Sequence, residues 1–105
     1  MNQTSLILMQ GVVVEEEVHL TLVELCQACC AEEAQVLAWV HEGALEPAGG
    51  SPSEWSFGGE SLRRARLAQR LSCDLELNPP GGALALDLLD EIAELRARLR
   101  RAGVD

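Results

Sequence analysis

The residues best equipped for chemistry in this 105-residue chain are four cysteines and two histidines. Cys26, Cys29 and Cys30 form a C-x-x-C-C cluster, and Cys73 is distant. On a helix, spacings of i, i+3 and i+4 place the three on one face. A structural zinc site needs four ligands; Cys73 or His19 could complete one, but no second close pair exists. A redox C-x-x-C normally accompanies a βαβ unit, and that context is missing. The pattern favours buried thiols acting as small hydrophobic side chains, reduced and metal-free. His19 and His41 belong to no nucleophile–base arrangement; His41, near a helix end, is placed to meet terminal carbonyls. The Gly-Gly pairs at 49–50, 58–59 and 81–82 lack both the G-x-G-x-x-G form and a following Lys. No catalytic residue, metal site or cofactor is expected, and no enzymatic activity.

The second feature able to act on another molecule is a run of acids. Asp87, Asp90, Glu91 and Glu94 recur at i, i+3 and i, i+4. Like-charge pairs at these spacings each cost a helix about 0.2–0.5 kcal/mol. Compensation of the helix dipole explains Asp87 but not Glu94, because the effect fades after the first turn. The run therefore reads either as a plain solvated face or as a face for a partner's basic helix. Glu32 and Glu33, at the start of another helix, are the second candidate partner-binding acids.

Charge partition sharpens this. The chain holds eight Arg, no Lys and 17 acids, a net charge of −9. All eight Arg lie at or after Arg63, so residues 1–62 carry ten acids and no base. Such a half repels phosphate and anionic lipid. It suits a basic protein partner or a solubilising surface. No apolar run approaches the ~18 residues of a membrane span. The opening M-N-Q-T-S-L-I-L-M-Q-G has no basic region ahead of its short apolar run, so a signal peptide is not expected and the expected compartment is the cytoplasm.

The elements that must position these residues are mostly helical, since Leu and Ala dominate the apolar content and aromatics make up only 3%. A single domain is expected over 1–105. Residues 5–20 read as an N-terminal β segment with a turn near Gly11. Residues 21–43 read as a helix-turn-helix. Thr21 and Glu24 have capping-box spacing, and Leu20 and Leu25 fit a hydrophobic staple. The first helix runs through Cys29. The second covers Ala31 to Glu42, with Val36, Leu37 and Val40 on its inner face and Gly43 as its stop. Residues 44–60 are rich in Gly, Pro and Ser and read as a wing or hairpin. In it Trp55 and Phe57 share one side, either to staple the wing to the core or to serve as a binding hot spot. A third helix is expected over 61–77, with Leu67, Leu71 and Leu75 in register and Glu60 able to pair with Arg64. N-P-P-G-G breaks it. A C-terminal helix over 80–102 carries Leu88, Ile92, Leu95 and Leu99 as a coiled-coil-type seam about two heptads long, opposite the acidic run.

This order resembles the MerR-like winged helix-turn-helix. T-L-V-E-L-C at 21–26, V-H-E-G-A-L-E-P at 40–47 and W-S-F at 55–57 carry the resemblance. With the Arg-rich third helix and L-D-L-L-D-E-I at 86–92, the chain is most similar to the chaperone-modulator branch, the CbpM family. The resemblance covers about residues 18–102 and rests on the order and spacing of motifs rather than on any one of them. It implies a small protein that binds the J-domain of a CbpA/DnaJ-like co-chaperone and blocks its co-chaperone and DNA-binding work. J-domains carry a basic helix, which suits the acidic run.

The resulting expectation is a mainly α, MerR-like winged helix-turn-helix with a short N-terminal β segment, a small wing and a long C-terminal helix. It acts by binding a protein, and it could form a homodimer through the last helix. A MerR-type transcriptional regulator is the alternative. Against it, Gln35 is the only residue at the start of the second helix suited to reading base edges, and neither that helix nor the wing holds a cation. Neither DNA nor a membrane is an expected partner.

Overall fold

The computed structural model describes residues 18–103. Its elements are α1 (Leu22–Cys29), α2 (Glu33–His41), a 3-10 turn at Pro52–Glu54, α3 (Gly59–Leu75) and α4 (Pro79–Arg101). Residues 5–17 of the expected β segment lie outside the described residues.

Helix α1 begins where its cap dictates. The Glu24 N–H donates to Thr21 Oγ1 at 3.1 Å, and the Thr21 N–H donates to Glu24 Oε1 at 2.9 Å. This reciprocal pair satisfies two N–H groups that the first turn leaves without partners. The helix ends at Cys30, in the left-handed region at φ 57°. There the Ala31 N–H reaches Cys26 O at 3.0 Å, and Gln69 of α3 donates to Cys30 O at 2.7 Å. Helix α2 stops at Gly43, whose φ of +84° suits a residue without Cβ.

The core lies where α1, α2, α3 and the first turns of α4 meet. Leu25, Val36, Trp39, Leu45, Phe57, Ala65 and Leu86 are buried within it. On α2 the inward residues are Val36 and Trp39, while Leu37 and Val40 are half-buried. The expected inner face is thus rotated, because the large indole takes the central place. On α3 the buried residues are Leu62, Ala65 and Ala68. Leu67 and Leu71 are only half-buried, and Leu75 is exposed. The expected leucine register is corrected for a steric reason. Small Ala side chains let α3 approach α1 and α4 closely, and a leucine stripe would hold them apart.

The segment between α2 and α3 is not a stranded wing. Two isolated antiparallel bridges, Leu20 with Phe57 and Ala48 with Ser56, are its only β pairing among the described residues. Pro47 and Pro52 bring no N–H to a ladder. Gly49 (φ +111°) turns so tightly that a Cβ would lie 2.5 Å from Glu54 O. Phe57 is fully buried and Trp55 half-buried, edge-to-face at 5.9 Å. The aromatic pair does staple this segment to the helices.

Helix α4 starts earlier than N-P-P-G-G suggests. Asn78 Oδ1 accepts the Gly81 N–H at 2.8 Å, and Pro79 and Pro80 occupy the first two positions, which need no N–H donor. Gly82, Ala83 and Leu86 are buried, with Gly82 passing over the Trp39 indole. Beyond Leu86 nearly every residue of α4 is exposed.

Removing the Leu25 side chain, which has no exposure, should leave a cavity. Leu25→Ala is expected to cost about 2–5 kcal/mol, and Thr21→Ala about 1 kcal/mol. Urea denaturation followed by far-UV circular dichroism checks both; equal losses would contradict this account of the core.

Candidate functional site

The candidate acids sit on two separate elements. Glu32 is the residue before α2 and Glu33 opens its first turn; both are exposed. Asp87, Asp90, Glu91 and Glu94 follow one another along the outer part of α4 and are all exposed. Among the described residues no ion pair or hydrogen bond joins the two groups.

The α4 acids are not the free stripe that the sequence suggests. Asp90 lies four residues after buried Leu86, so it continues the inward face by one turn. There it meets Arg64 of α3, whose Nη1 donates to Asp90 Oδ2 while Nη2 reaches Asp87 Oδ1 at 3.5 Å. Arg64 Nε also donates to Ala44 O, in the loop after α2, at 2.7 Å. One guanidinium therefore ties three elements together, using the planar fork that a Lys lacks. Glu94 lies 3.8 Å from Arg101. Of the four, Glu91 alone forms no ion pair among the described residues. The expected Glu60–Arg64 pair is not formed, because Arg64 turns toward two carboxylates and a carbonyl instead. Sequence spacing could not reveal this, since Arg64 and Asp90 are 26 residues apart.

The apolar seam is adjacent to the acids rather than opposite them. Leu84, Leu88, Ile92, Leu95 and Leu99 recur at spacings of 4, 4, 3 and 4, and they are 44–60% exposed. Contiguous exposed apolar surface of this kind marks an interaction face.

The thiols divide by depth. Cys29 is buried and donates to Leu25 O at 3.1 Å, Cys26 is half-buried, and Cys30 and Cys73 are exposed. Core packing thus describes Cys29 and part of Cys26, not the whole cluster, because the αL turn at Cys30 swings that residue outward. Burial pushes the Cys26 thiol up from its ordinary value, with the Glu33 carboxylate adding to it. Burial also raises Cys29, aided by Cys26. Both therefore stay protonated and poorly nucleophilic near neutral pH. Among the described residues no three His, Cys, Asp or Glu side chains are grouped to hold a metal ion. His19 and His41 are exposed. No helix among the described residues is long and apolar enough to cross a membrane.

The helix-turn-helix of α1 and α2, the aromatic-stapled loop and the long α4 match a known domain. Residues 20–102 match the MerR HTH family regulatory proteins. A chaperone modulatory protein CbpM from Coxiella burnetii is 40% identical over 93 residues, which cover 89% of this chain and 88% of that protein. Its namesake from Pseudomonas putida is 40% identical over 80 residues, 76% of this chain and 79% of that protein. The one from Pseudomonas entomophila is 38% identical over the same shares. The chain belongs to the CbpM family, within the MerR-like helix-turn-helix proteins. CbpM relatives are named as chaperone modulators and the wider family as regulatory proteins, not as enzymes.

In this CbpM-family chain the Arg64 tie should be measurable. Its side chain is only 13% exposed, but Asp87 and Asp90 are 72% and 62% exposed, so water weakens the pairing. Arg64→Ala is expected to cost about 1–3 kcal/mol through hydrogen bonds to charged groups and a carbonyl left unpaired. Arg64→Lys should restore less than half, because an ammonium cannot make the same fork. Thermal denaturation of the two variants tests this; full rescue by Lys would contradict the assignment.

Proposed function

We propose that this chain is a cytoplasmic chaperone modulator that binds the J-domain of a CbpA/DnaJ-like co-chaperone. By occluding that domain it inhibits the partner's co-chaperone and DNA-binding activity, with no chemistry of its own. The observation that carries this reading is the close relation to chaperone modulatory proteins over most of the chain. The charges support it: α2 and the loop after it hold no Lys or Arg. A helix-turn-helix so furnished lacks the cations that phosphate contacts need, whereas its acids suit a basic helix.

Asp87, Asp90, Glu91, Glu94, Glu32 and Glu33 are the proposed partner-binding residues. Since Asp90 also holds Arg64, Glu91 and Glu94 are the cleaner probes. Glu91→Arg with Glu94→Arg should weaken J-domain binding by about tenfold, roughly 1.4 kcal/mol, and flatten its salt dependence. Calorimetry at two salt concentrations reads both effects. Unchanged binding would make this end of α4 a solvated surface and move the interface to Glu32 and Glu33. A nanomolar footprint of the protein on its own upstream DNA would instead favour the MerR-type regulator.

The same reading includes a homodimer through α4. Acids occupy its positions 87–94 and Arg96, Arg98, Arg100 and Arg101 its end. Antiparallel pairing of two copies along the apolar seam would oppose these charges. Leu88→Glu with Leu95→Glu should convert a dimer to a monomer in sedimentation equilibrium; the same mass for both proteins would overturn the dimer.

A further inference from the structure

Helix α4 carries its exposed leucines on the side turned away from the rest of the molecule. At roughly 100° per residue, Leu88 and Ile92 lie across the helix from Leu86, which is buried, and from Asp90, which holds Arg64. A second helix laid along Leu88, Ile92, Leu95 and Leu99 therefore displaces neither α3 nor the loop after α2. In heptad terms Leu88 and Leu95 take the d positions, and Ile92 and Leu99 the a positions. The seam is only about two heptads long, so apolar contact alone makes a marginal pair, and the flanking charges choose the partner and its direction.

Antiparallel packing of two copies sets a against d, so Ile92 faces Leu95 of the second copy and Leu88 faces its Leu99. The g positions beside this seam are Glu91 and Arg98. In that register Glu91 of each copy meets Arg98 of the other, which gives two ion pairs by symmetry. On the opposite flank the Arg96 stem of one copy covers Leu89 of the other, which is 41% exposed in the single chain. Both members of the charge pair are available. Glu91 and Arg98 are exposed and form no ion pair among the described residues. Glu94 stands four residues before Arg98, the favourable order for a pair on one helix, yet it reaches Arg101 instead, at 3.8 Å.

Glu91 thus has two claimants, Arg98 of a second copy and the basic helix of the protein partner. We infer that it serves one at a time: the homodimer withdraws Glu91 from the partner, so self-association and partner binding exclude one another and the single chain is the binding form. A helix with its side chains is about 10 Å across, so one lying along the seam covers the Glu91 flank and leaves no room there for another. The inference rests on the proposed function and adds its regulation. A rising concentration of the protein stores it as a dimer, and an arriving basic helix competes with Arg98 of the second copy.

Two measurements on the full chain test it. Sedimentation equilibrium reads the pairing. Glu91→Arg should weaken the dimer about tenfold by setting Arg against Arg, and Arg98→Glu should do the same by setting Glu against Glu. The two changes together should restore it. Rescue of Glu91→Arg by Arg96→Glu instead, the g-to-e contact of a parallel pair, would overturn the inference. So would single variants that dimerise within about twofold of the parent, or a parent that is monomeric at every concentration. Calorimetry with the J-domain of a CbpA-type protein reads the exclusion. Raising the parent from well below to about ten times its dimer dissociation constant should weaken apparent binding about fivefold, because only the monomer fraction binds. Arg98→Glu keeps Glu91 and should bind alike at both concentrations. Parent binding that ignores concentration, or a complex of two chains with two J-domains, would overturn the exclusion. A J-domain that binds neither protein overturns the proposed function and the exclusion with it; a charge swap that still restores the dimer then leaves the pairing alone standing.

Discussion

The Arg64 guanidinium joins α3 to α4 and to the loop after α2, and the placement of Asp87 and Asp90 follows from it. Its side chain is only 13% exposed, and its fork ends on Ala44 O, Asp87 and Asp90. Without that fork, the short buried stretch at Gly82, Ala83 and Leu86 would alone fix the direction of α4. Apolar contact resists separation but is non-directional. The hydrogen bonds supply the direction, and they connect α4 to the loop that closes the helix-turn-helix.

A consequence is that structural and recognition roles overlap along α4. Asp87 and Asp90 spend part of their charge inside the molecule, yet both remain largely exposed. Glu91 lies one position beyond the tie and spends none. Glu46 and Glu60, in a loop and at a helix start, are left without an ion pair among the described residues, since Arg64 is engaged by Asp87, Asp90 and Ala44 O. Around Arg64 the carboxylates thus divide into engaged and available ones.

What the sequence made legible was local. The capping box at Thr21 and Glu24, the stop at Gly43 and the exit of α1 at Cys29 each depend on residues within four positions of one another. Family membership was legible too, through the order of short motifs. The registers of α2 and α3 were not, because Trp39 and the Ala65/Ala68 pair are selected by the shape of the opposing helices rather than by periodicity. The wing was over-read: Gly, Pro and aromatic alternation fit a hairpin, but two isolated bridges and a 3-10 turn satisfy the same composition. The acids stand out in the sequence as a run, but their inequality rests on a contact between positions 64 and 90 that no spacing rule reaches.

Helix α4 is buried only up to Leu86 and continues to Arg101. At 1.5 Å per residue the free portion projects roughly 22 Å. It is a cantilever, clamped at its root by Arg64 and loaded along its length by exposed leucines. Each degree of tilt at the clamp carries the tip through about 0.4 Å, from the same rise per residue. Whatever engages the carboxylates near the root also grips the fulcrum of that arm. Events at the two ends are therefore mechanically geared, with small motion at the root and large motion at the tip.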